Sequence, residues 1–335
     1  MKIAVVILNW NGEALLERFL PSVLEYSKGT DVYVVDNAST DGSVDFLREH
    51  YPTIKIVENS TNGGFAKGYN EGLQHVKADV YCLLNSDVEV TPDWLEPIKN
   101  TFKTQPEAAI IQPKILDLMQ KDHFEYAGAA GGFLDKFGYP FCRGRIFQTI
   151  EKDEGQYDDI REVFWATGAC MFIKSDVFWS LGGFDEDYFA HQEEIDLCWR
   201  AQNAGYKVFY VGHSHIYHLG GSTLSNMNPK KTFLNFRNSL YSITKNLPRR
   251  QAWPIVFIRL LLDAIAALRF IFQLKFDHCF AILRAHFSFY GNFIKMYRKR
   301  EKANFILKYY VATSIVWSYF CLLYTSPSPR DRTRS

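Results

Sequence analysis

Residues 3–12 have the sequence IAVVILNWNG, an unbroken apolar run that passes directly into polar turn residues. A strand buried on both faces of a parallel sheet is typically continuous in this way rather than alternating. Further apolar runs occupy residues 32–35, 54–57 and 80–84, and segments with helical spacing lie between them at 14–26, 43–50 and 64–75. This alternation predicts an α/β fold with a doubly wound, mainly parallel sheet flanked by helices.

The remainder of the first 220 residues shows weaker patterns. Thr91 and Pro92 predict a helix start, with Thr91 as the N-cap and Pro92 at the first position. Residues 108–160 are rich in glycine and aromatic residues and predict an irregular region. Beyond them we expect a strand within residues 163–174, a helix within 188–205 and a last strand at 208–211.

Charge divides the chain into two parts. Residues 1–247 contain 23 Lys and Arg against 33 Asp and Glu, whereas residues 248–335 contain 15 against 4. An acidic body followed by a basic extension indicates two physical tasks in one chain. We therefore divide it into an α/β body of residues 1–247, a helical membrane-associating region of residues 248–320, and a disordered or non-native tail of residues 321–335.

Residues 255–274 predict an amphipathic helix. Its polar residues fall within about a third of the helical circumference; they are Arg259, Asp263, Arg269 and Gln273. Crossing a bilayer would bury three charges at about 2.5–3.5 kcal/mol each, so we expect the helix to lie in the interface with these side chains in water. A basic run at residues 295–302 suits anionic lipid headgroups. The alternative is that these helices only pack against the body.

The expected location follows from the start of the chain and from its cysteines. Residues 1–12 contain neither a basic leader segment nor a small-residue cleavage site, which predicts that there is no signal peptide. Six scattered cysteines without a C-x-x-C pair are typical of reduced cytosolic thiols. We expect a cytoplasmic protein, peripheral on the cytoplasmic face of the inner membrane, with no nucleic-acid partner. Its oligomeric state stays open.

Polar clusters follow four of the predicted strands, at residues 9–11, 36–41, 59–62 and 85–87. Because ligands of such sheets bind beyond the carboxyl ends of the strands, we expect the four loops to converge on one crevice. Asp36 is placed to accept a hydrogen bond from the imide N–H of a uracil or thymine ring. The residues assigned to the same ligand-binding crevice are Asn9, Asn62, Gly63 and Gly64.

Asp87 and His218 are the candidates for a metal site. A diphosphate needs a divalent ion to offset its charge, and Mg²⁺ prefers oxygen ligands and keeps part of its water shell. Asp87 suits that role, with Asn85 placed for a ribose or a metal-bound water. His218 precedes two glycines that permit close approach to phosphate. A zinc site made by the histidines of residues 213–218 is disfavoured because no cysteine ligand accompanies them.

Glu193 and Glu194 are the candidate catalytic residues. Transfer to a hydroxyl with inversion at the anomeric carbon requires one base to take the proton. Glu194 is our choice for this base, and Glu193 is the alternative. The structural explanation is that an acidic first turn interacts favourably with the helix dipole.

Seven segments together resemble the inverting glycosyltransferases of family 2, particularly the rhamnosyltransferase-like branch. Their order and spacing make the resemblance specific, and they span residues 1–223. The segments are ILNWNG (7–12), VVDNASTDGS (34–43), NGGFAKGYNEG (62–72), LLNSDV (83–88), ATGACMFIKSDVFWSLGGFDEDYF (166–189), EEIDLCWRAQNAGY (193–206) and HLGGST (218–223).

The resemblance implies a GT-A fold for residues 1–247, Mg²⁺ or Mn²⁺ as cofactor, and a UDP- or dTDP-sugar as donor. It also implies a base contact at Asp36, metal–diphosphate binding at Asp87 and a catalytic base in the acidic pair. Two positions depart from the family pattern. Asn85 replaces the first aspartate of the aspartate-x-aspartate element, and a Glu-Glu pair replaces the usual Glu-Asp.

These observations predict transfer of a sugar, with rhamnose as a candidate, to a hydroxyl of a lipid-linked or polysaccharide acceptor in cell-surface glycan synthesis. One alternative is a sugar-phosphate nucleotidyltransferase, which would carry a Gly-rich, Arg- and Lys-bearing loop after the first strand. The other is a non-catalytic sugar-nucleotide-binding protein. Neither G-x-G-x-x-G after the first strand nor a P-loop motif occurs, which argues against dehydrogenase and P-loop functions.

Overall fold

A computed structural model describes residues 1–220, 228–300 and 305–322. Parts of three sequence predictions therefore lie outside the described residues. They are residues 221–223 of the last motif, residues 301–302 of the basic run, and residues 323–335 of the tail.

The described residues form a mixed α/β structure. The strands are β1 (Ile3–Asn9), β2 (Asp31–Asp36), β3 (Lys55–Glu58), β4 (Val80–Asn85), β5 (Val88–Val90), β6 (Ala108–Asp117), β7 (Gly132–Leu134), β8 (Pro140–Cys142), β9 (Arg145–Ile146), β10 (Thr149–Ile150), β11 (Ile160–Val163), β12 (Cys170–Lys174) and β13 (Lys207–His218). The helices are α1 (Glu13–Tyr26), α2 (Ser43–His50), α3 (Gly64–Leu73), α4 (Leu95–Thr104), α5 (Ser175–Ser180), α6 (Glu193–Asn203), α7 (Pro229–Asn246), α8 (Arg249–Phe272), α9 (Phe276–Arg298) and α10 (Ile315–Phe320), with a 3₁₀ turn at Glu186–Tyr188.

The main sheet has the strand order β11-β13-β6-β12-β4-β1-β2-β3, with β5 paired to β13. Strands β1 to β4 are parallel to one another, whereas β12 runs antiparallel to β4 and to β6. The register aligns the strand ends, because Asn9 pairs with Asp36 and Leu8 pairs with Asn85. A small antiparallel sheet of β7 to β10 lies apart from this one.

Two hydrophobic cores lie on opposite faces of the sheet because side chains alternate along each strand. In β1, Val5 belongs to one core and Val6 to the other. The first core includes residues of α1, α2 and α4. The second includes residues of α3, α5, α6 and α7, and it continues into α8 and α9 through residues such as Val256 and Phe289. The basic extension therefore shares a core with the body.

Three predicted elements differ from the observed ones. Thr91 does not cap a helix, because α4 begins at Leu95 and the Thr91 hydroxyl instead donates to the carbonyl of His215 at 2.7 Å. Residues 108–117, predicted to be irregular, form the buried strand β6. The last strand continues past residue 211 to His218, where it pairs with β5.

The prediction that the polar residues of the amphipathic helix lie in water is wrong for Arg259 and Asp263, whereas Arg269 and Gln273 are exposed as predicted. The helix forms, as α8, but Arg259 and Asp263 are 3% and 0% exposed, while apolar residues of the opposite face are in solvent. Arg259 stays inside because it donates to the carbonyl of Phe137 and to the hydroxyl of Ser239. Among the described residues, none of the helices combines the length and apolar composition needed to cross a bilayer. All six cysteines are free thiols.

Candidate active site

Asp36 ends β2 and is held by its neighbours in the crevice. Its Oδ1 accepts hydrogen bonds from Asn9 Nδ2 at 3.1 Å and from the Ser39 hydroxyl at 2.6 Å, and its Oδ2 accepts one from the Ser39 amide at 2.8 Å. Asn9 and Asp36 are both buried, and Asn9 Oδ1 has no hydrogen-bond partner among the described residues. This pair thus presents a fixed carboxylate and a spare amide oxygen, the acceptors that a base or a ribose requires.

Asn62, Gly63 and Gly64 form the adjoining loop, whose contacts are with the protein itself. Asn62 Oδ1 accepts from the amide of Gly64 at 2.9 Å and from Asn37 Nδ2 at 3.0 Å. Gly64 has a φ of +80°, and a Cβ there would lie 2.5 Å from the carbonyl oxygen of Phe189. Glycine is required at this position because the loop packs so closely against the segment that precedes α6.

Asp87 and His218 lie together at the other side of the crevice. The Asp87 Oδ1 to His218 Nε2 distance is 3.1 Å, and His218 Nδ1 lies 3.5 Å from Oε2 of Glu125. All three side chains are buried. Burial opposes the charged imidazole, but the flanking carboxylates outweigh it and raise the pKa of His218 to about 10. Asn85 Nδ2 is 3.4 Å from the same Nε2 atom.

The Asp87–His218 pair fits a divalent cation whose remaining coordination positions are filled by phosphate oxygens and water. Asp87 supplies a carboxylate oxygen and His218 an imidazole nitrogen, and a cation on the pair takes the place of the imidazole proton. The described residues contain no cluster of three or more His, Cys, Asp or Glu side chains that could enclose a metal. Mg²⁺ and Mn²⁺ sites of this kind obtain their remaining ligands from phosphate oxygens and water.

The segment before α6 is strained. Phe189, His191 and Gln192 have φ values of +64°, +67° and +71°, and strained backbone of this kind costs about 1–3 kcal/mol per residue. Asn238 in α7 holds the segment, because its Nδ2 donates to the carbonyls of Tyr188 at 3.1 Å, Ala190 at 3.0 Å and His191 at 2.7 Å. Strain that the fold enforces in this way is a mark of functional sites.

Glu193 and Glu194 follow this segment at the start of α6. Oε2 of each side chain is buried and has no hydrogen-bond partner among the described residues. Burial raises the pKa of Glu194 to about 7, although nearby backbone amides act in the opposite direction. Burial, together with the charge of Glu194, raises the pKa of Glu193 further above its usual value. Desolvation therefore outweighs the helix dipole at this terminus.

The two groups are connected through residues 166–169. The amide of Asn85 donates to the carbonyl of Ala169 at 3.0 Å, and at the other end the amide of Ala166 donates to Cys198 Sγ at 3.4 Å. Cys198 lies one turn after Glu194 in α6. Burial raises the pKa of its thiol to about 12, and the nearby charge of Glu194 acts in the same direction. Residues 166–169 thus contact both the end of β4, two residues before Asp87, and the first turns of α6, which carries the acidic pair.

The sequence reasoning missed three residues of this region. Glu125 lay in the segment predicted to be irregular, and Asn238 and Lys231 lay in an unassigned helix. The charge of Lys231 contributes, after burial, to lowering the pKa of His191 to about 4, and Lys231 itself feels the charge of Glu125. Lys231 therefore carries positive charge between the two sides of the site. An open groove of about 650 Å³ beside α1 and β5 contains none of these residues.

Comparison with known proteins identifies the family of the chain. The profile of "Glycosyl transferase family 2" matches residues 4–182. The chain is similar to the N-acetylglucosaminyl-diphospho-decaprenol L-rhamnosyltransferase of Mycobacterium tuberculosis, with 27% identity over 233 residues, covering 64% of this chain and 75% of that enzyme.

Two solved structures share the fold. The mannosyltransferase PcManGT from Pyrobaculum calidifontis, in complex with GDP-Man and Mn²⁺, has a TM-score of 0.54 at 14% identity, covering 87% of each chain. TarS from S. aureus, in complex with UDP-GlcNAc, has a TM-score of 0.54 at 15% identity, covering 88% of this chain and 81% of that one.

Proposed function

Because the chain belongs to glycosyl transferase family 2, we propose that it transfers a sugar from a UDP- or dTDP-sugar to an acceptor hydroxyl, with inversion at the anomeric carbon. The acceptor is a lipid-linked or polysaccharide glycan of the cell surface, and rhamnose is the first sugar to test. One observation supports the proposal: the strand end two residues before Asp87 and the helix that carries Glu194 both hydrogen-bond to the segment of residues 166–169.

The donor lies between the base pocket and the Asp87–His218 pair. Asp36 accepts the imide N–H of uracil or thymine, and Asn9 offers its unpartnered Oδ1 to the nucleoside. Asp87 and His218 would hold Mg²⁺ or Mn²⁺ through a carboxylate oxygen and an imidazole nitrogen. When bound, the cation offsets the negative charge that develops on the departing nucleoside diphosphate.

The acceptor hydroxyl lies on the side of Glu194. In an in-line displacement, the acceptor oxygen attacks the anomeric carbon, the bond from that carbon to the diphosphate oxygen breaks, and the hydroxyl proton passes to a carboxylate. Glu194 receives it at Oε2, which has no competing hydrogen bond among the described residues. A base with a pKa of about 7 takes up a proton readily at neutral pH. Glu193 remains the alternative base.

The relative from Mycobacterium tuberculosis supports the choice of acceptor and sugar. Its name describes an L-rhamnosyltransferase that acts on N-acetylglucosaminyl-diphospho-decaprenol, a lipid-linked sugar. We extend that chemistry to this chain. A lipid-linked acceptor also agrees with a cytoplasmic protein that is peripheral on the inner membrane, with residues 1–247 as the catalytic domain and residues 248–320 as the membrane-associating region.

A panel of UDP- and dTDP-sugars tests the proposal with Mn²⁺ present. The wild-type protein should release the nucleoside diphosphate from one donor and transfer its sugar to a lipid-linked acceptor. Asp87→Asn should lower kcat/KM about 10²–10³-fold, because it removes the charge that holds the cation. Asp93→Asn is the matched control, because Asp93 is exposed and asparagine tolerates its φ of +57°.

Three outcomes would contradict the proposal. Normal turnover by Asp87→Asn would remove the metal assignment. Release of pyrophosphate from a nucleoside triphosphate and a sugar phosphate would identify a nucleotidyltransferase. Donor binding without any turnover would identify a non-catalytic sugar-nucleotide-binding protein.

A further inference from the structure

The middle of helix α8 buries two charged side chains and exposes large apolar ones, while Arg269 and Gln273 near its end are exposed. A helix on the surface of a protein in water normally buries its apolar stripe and exposes its polar one. In α8 the buried stripe contains Arg259 and Asp263, whereas the exposed stripe contains large apolar residues such as Phe257 and Ile265. Charged side chains inside and apolar side chains outside indicate that the medium outside this helix is itself apolar.

Specific contacts fix this orientation. The Arg259 guanidinium donates to the carbonyl of Phe137 at 3.0 Å and to the Ser239 hydroxyl at 2.7 Å. Asp263 Oδ2 lies 3.1 Å from His286 Nε2, which joins α8 to α9. Because rotating α8 to expose its polar stripe would break all of these contacts, the apolar stripe is held outward by the fold.

The exposed apolar surface is most pronounced where α8 and α9 meet. Leu268, Phe272, Leu274, Phe276 and Phe280 form what we call the hairpin tip. Phe272 is 85% exposed and Leu274 is 77% exposed. Exposed apolar residues grouped in this way mark an interaction site, although Gln273 and Asp277 are exposed among them. The two helices are antiparallel neighbours, with the rings of Trp253 and Phe293 5.1 Å apart far from the tip and those of Phe270 and His278 4.8 Å apart near it.

Charge identifies what this surface binds. Residues 249–300 contain ten Lys and Arg but only two Asp and no Glu; Arg259 is buried, and Lys295 and Lys299 pair with aspartates of the body. Arg249, Arg250, Arg284 and Arg298 are exposed on α8 and α9. In a symmetric dimer the same basic surface would lie on both sides of the interface and its charges would repel, whereas an anionic lipid surface attracts them. Apolar residues beside exposed basic ones are typical of helices that lie in the membrane interface.

We propose that the hairpin tip inserts into an anionic lipid monolayer, with α8 and α9 lying on the membrane and the Arg259–Asp263 stripe facing the body. The proposal rests on the proposed function in one respect: membrane binding gives the enzyme access to a lipid-linked acceptor. The docking surface is the apolar face that the helical pattern also places against lipid; the structure differs from the sequence prediction in that Arg259 and Asp263 face the body instead of water.

Cosedimentation of the full chain with vesicles tests this surface. The wild-type protein should bind vesicles containing about one third phosphatidylglycerol more tightly than vesicles of phosphatidylcholine alone, and salt should weaken binding. Phe272→Ser with Leu274→Ser should weaken binding about tenfold or more, since two large apolar side chains leave the lipid. Arg284→Gln with Arg298→Gln should weaken binding to the anionic vesicles about fivefold per charge.

Met119→Ser is the matched control, because Met119 is 74% exposed but lies outside the hairpin; its vesicle binding should equal that of the wild type. The proposal is wrong if the wild type binds neither vesicle, or if the double serine variant binds as well as Met119→Ser. It is also wrong if that variant dissociates a dimer that itself binds no vesicle, since a second copy then covers the surface.

Activity separates this proposal from the proposed function. The double serine variant should retain sugar transfer to a short, water-soluble acceptor, which also shows that it is folded. Loss of that transfer together with vesicle binding would overturn the proposal, because the hairpin would then be part of the fold. Vesicle binding with the expected pattern, but without any transfer by the wild type, would contradict only the proposed function.

Discussion

Helix α6 carries carboxylates with opposite environments within one turn. Asp196 is fully buried and accepts hydrogen bonds from Arg200 Nε at 2.8 Å, Lys245 Nζ at 3.0 Å, Asn246 Nδ2 at 2.8 Å and the Tyr188 hydroxyl at 3.1 Å. Burial opposes its charged form, but Lys245 and Arg200 hold the pKa of Asp196 well below its usual range. This carboxylate is permanently charged and fully paired.

Glu193 is buried and Glu194 is half-buried. Each has one oxygen that lacks a hydrogen bond among the described residues, and burial raises the pKa of both. Removing a paired buried carboxylate destabilises the fold because it leaves its cationic partners uncompensated, whereas a carboxylate oxygen without a partner can take a proton from a substrate at neutral pH. We therefore expect substitution of Asp196 to change stability, and substitution of the acidic pair to change catalysis.

The largest effect is expected from Glu194→Gln. This substitution keeps the size of the side chain but removes the base, so kcat should fall by about 10²–10⁴-fold. The free energy of unfolding should not fall, because a neutral amide replaces a carboxyl that is costly to ionise. Steady-state kinetics with a saturating donor, together with urea unfolding, measure both quantities.

Glu193→Gln is the control for this prediction. It removes the neighbouring carboxylate, which should change kcat far less if Glu194 is the base. The opposite result, with Glu193→Gln inactive and Glu194→Gln active, would move the role to Glu193. If both variants kept normal turnover, the acidic pair would not be the base at all.

Asp196→Ala should affect stability instead. It leaves Lys245 and Arg200 buried beside a missing partner, so the free energy of unfolding should fall by about 3–5 kcal/mol. Urea unfolding measures this loss. The control is Glu96→Ala, which breaks an exposed pair with Lys99 and should cost no more than about 1 kcal/mol. Equal losses in the two variants would mean that the Asp196 network does not stabilise the fold as proposed.

The strand ends of the site could be predicted from sequence because their positions depend on local pattern. Each apolar run sets a strand, and the residue that follows it lies at the sheet edge, as Asp36 and Asp87 do. Parallel pairing then aligns Asn9 with Asp36 without any further information. Short-range pattern and one topological rule were sufficient for this part of the fold.

Other parts of the site depend on contacts between distant residues. Glu125 reaches His218 across 93 positions of sequence, and Asn238 reaches the carbonyl of His191 across 47. No spacing rule within one segment signals either contact. The strain at residues 189–192 is likewise enforced by contacts with α7, and the sequence of the segment itself does not indicate it.

The orientation of α8 shows a third limit. A helical pattern identifies two faces, but it does not state which of them meets the body. The usual assumption, that the polar face meets water, placed Arg259 and Asp263 outside. The structure instead provides partners for both on the body and on α9, and it leaves the apolar face outward. Only the tertiary contacts decide between the two orientations.

The smallest expected effect is the pH dependence of kcat and of stability. It tests the difference between Glu194 and Asp196 most directly. The pKa of Glu194 is raised from its usual value of 4.5 to about 7, so below pH 7 the base is protonated and kcat should fall about tenfold per pH unit. Stability has the opposite sign. A raised pKa in the folded protein means that the contribution of Glu194 to stability is fully present below about pH 4.5 and is lost as the pH rises through 7.

Activity and the free energy of unfolding should therefore move in opposite directions between pH 5 and 7. Asp196 does not change the free energy of unfolding between pH 5 and 7. Because its pKa is lowered, the stability that it contributes is lost only at more acidic pH. Glu193 and His218 also titrate, so the informative quantity is the difference between the wild type and Glu194→Gln, in which both trends attributed to Glu194 should vanish. A wild-type kcat that is flat from pH 5 to 7 would show that Glu194, whose Oε2 has no partner among the described residues, is no more chemically active than Asp196, which has four.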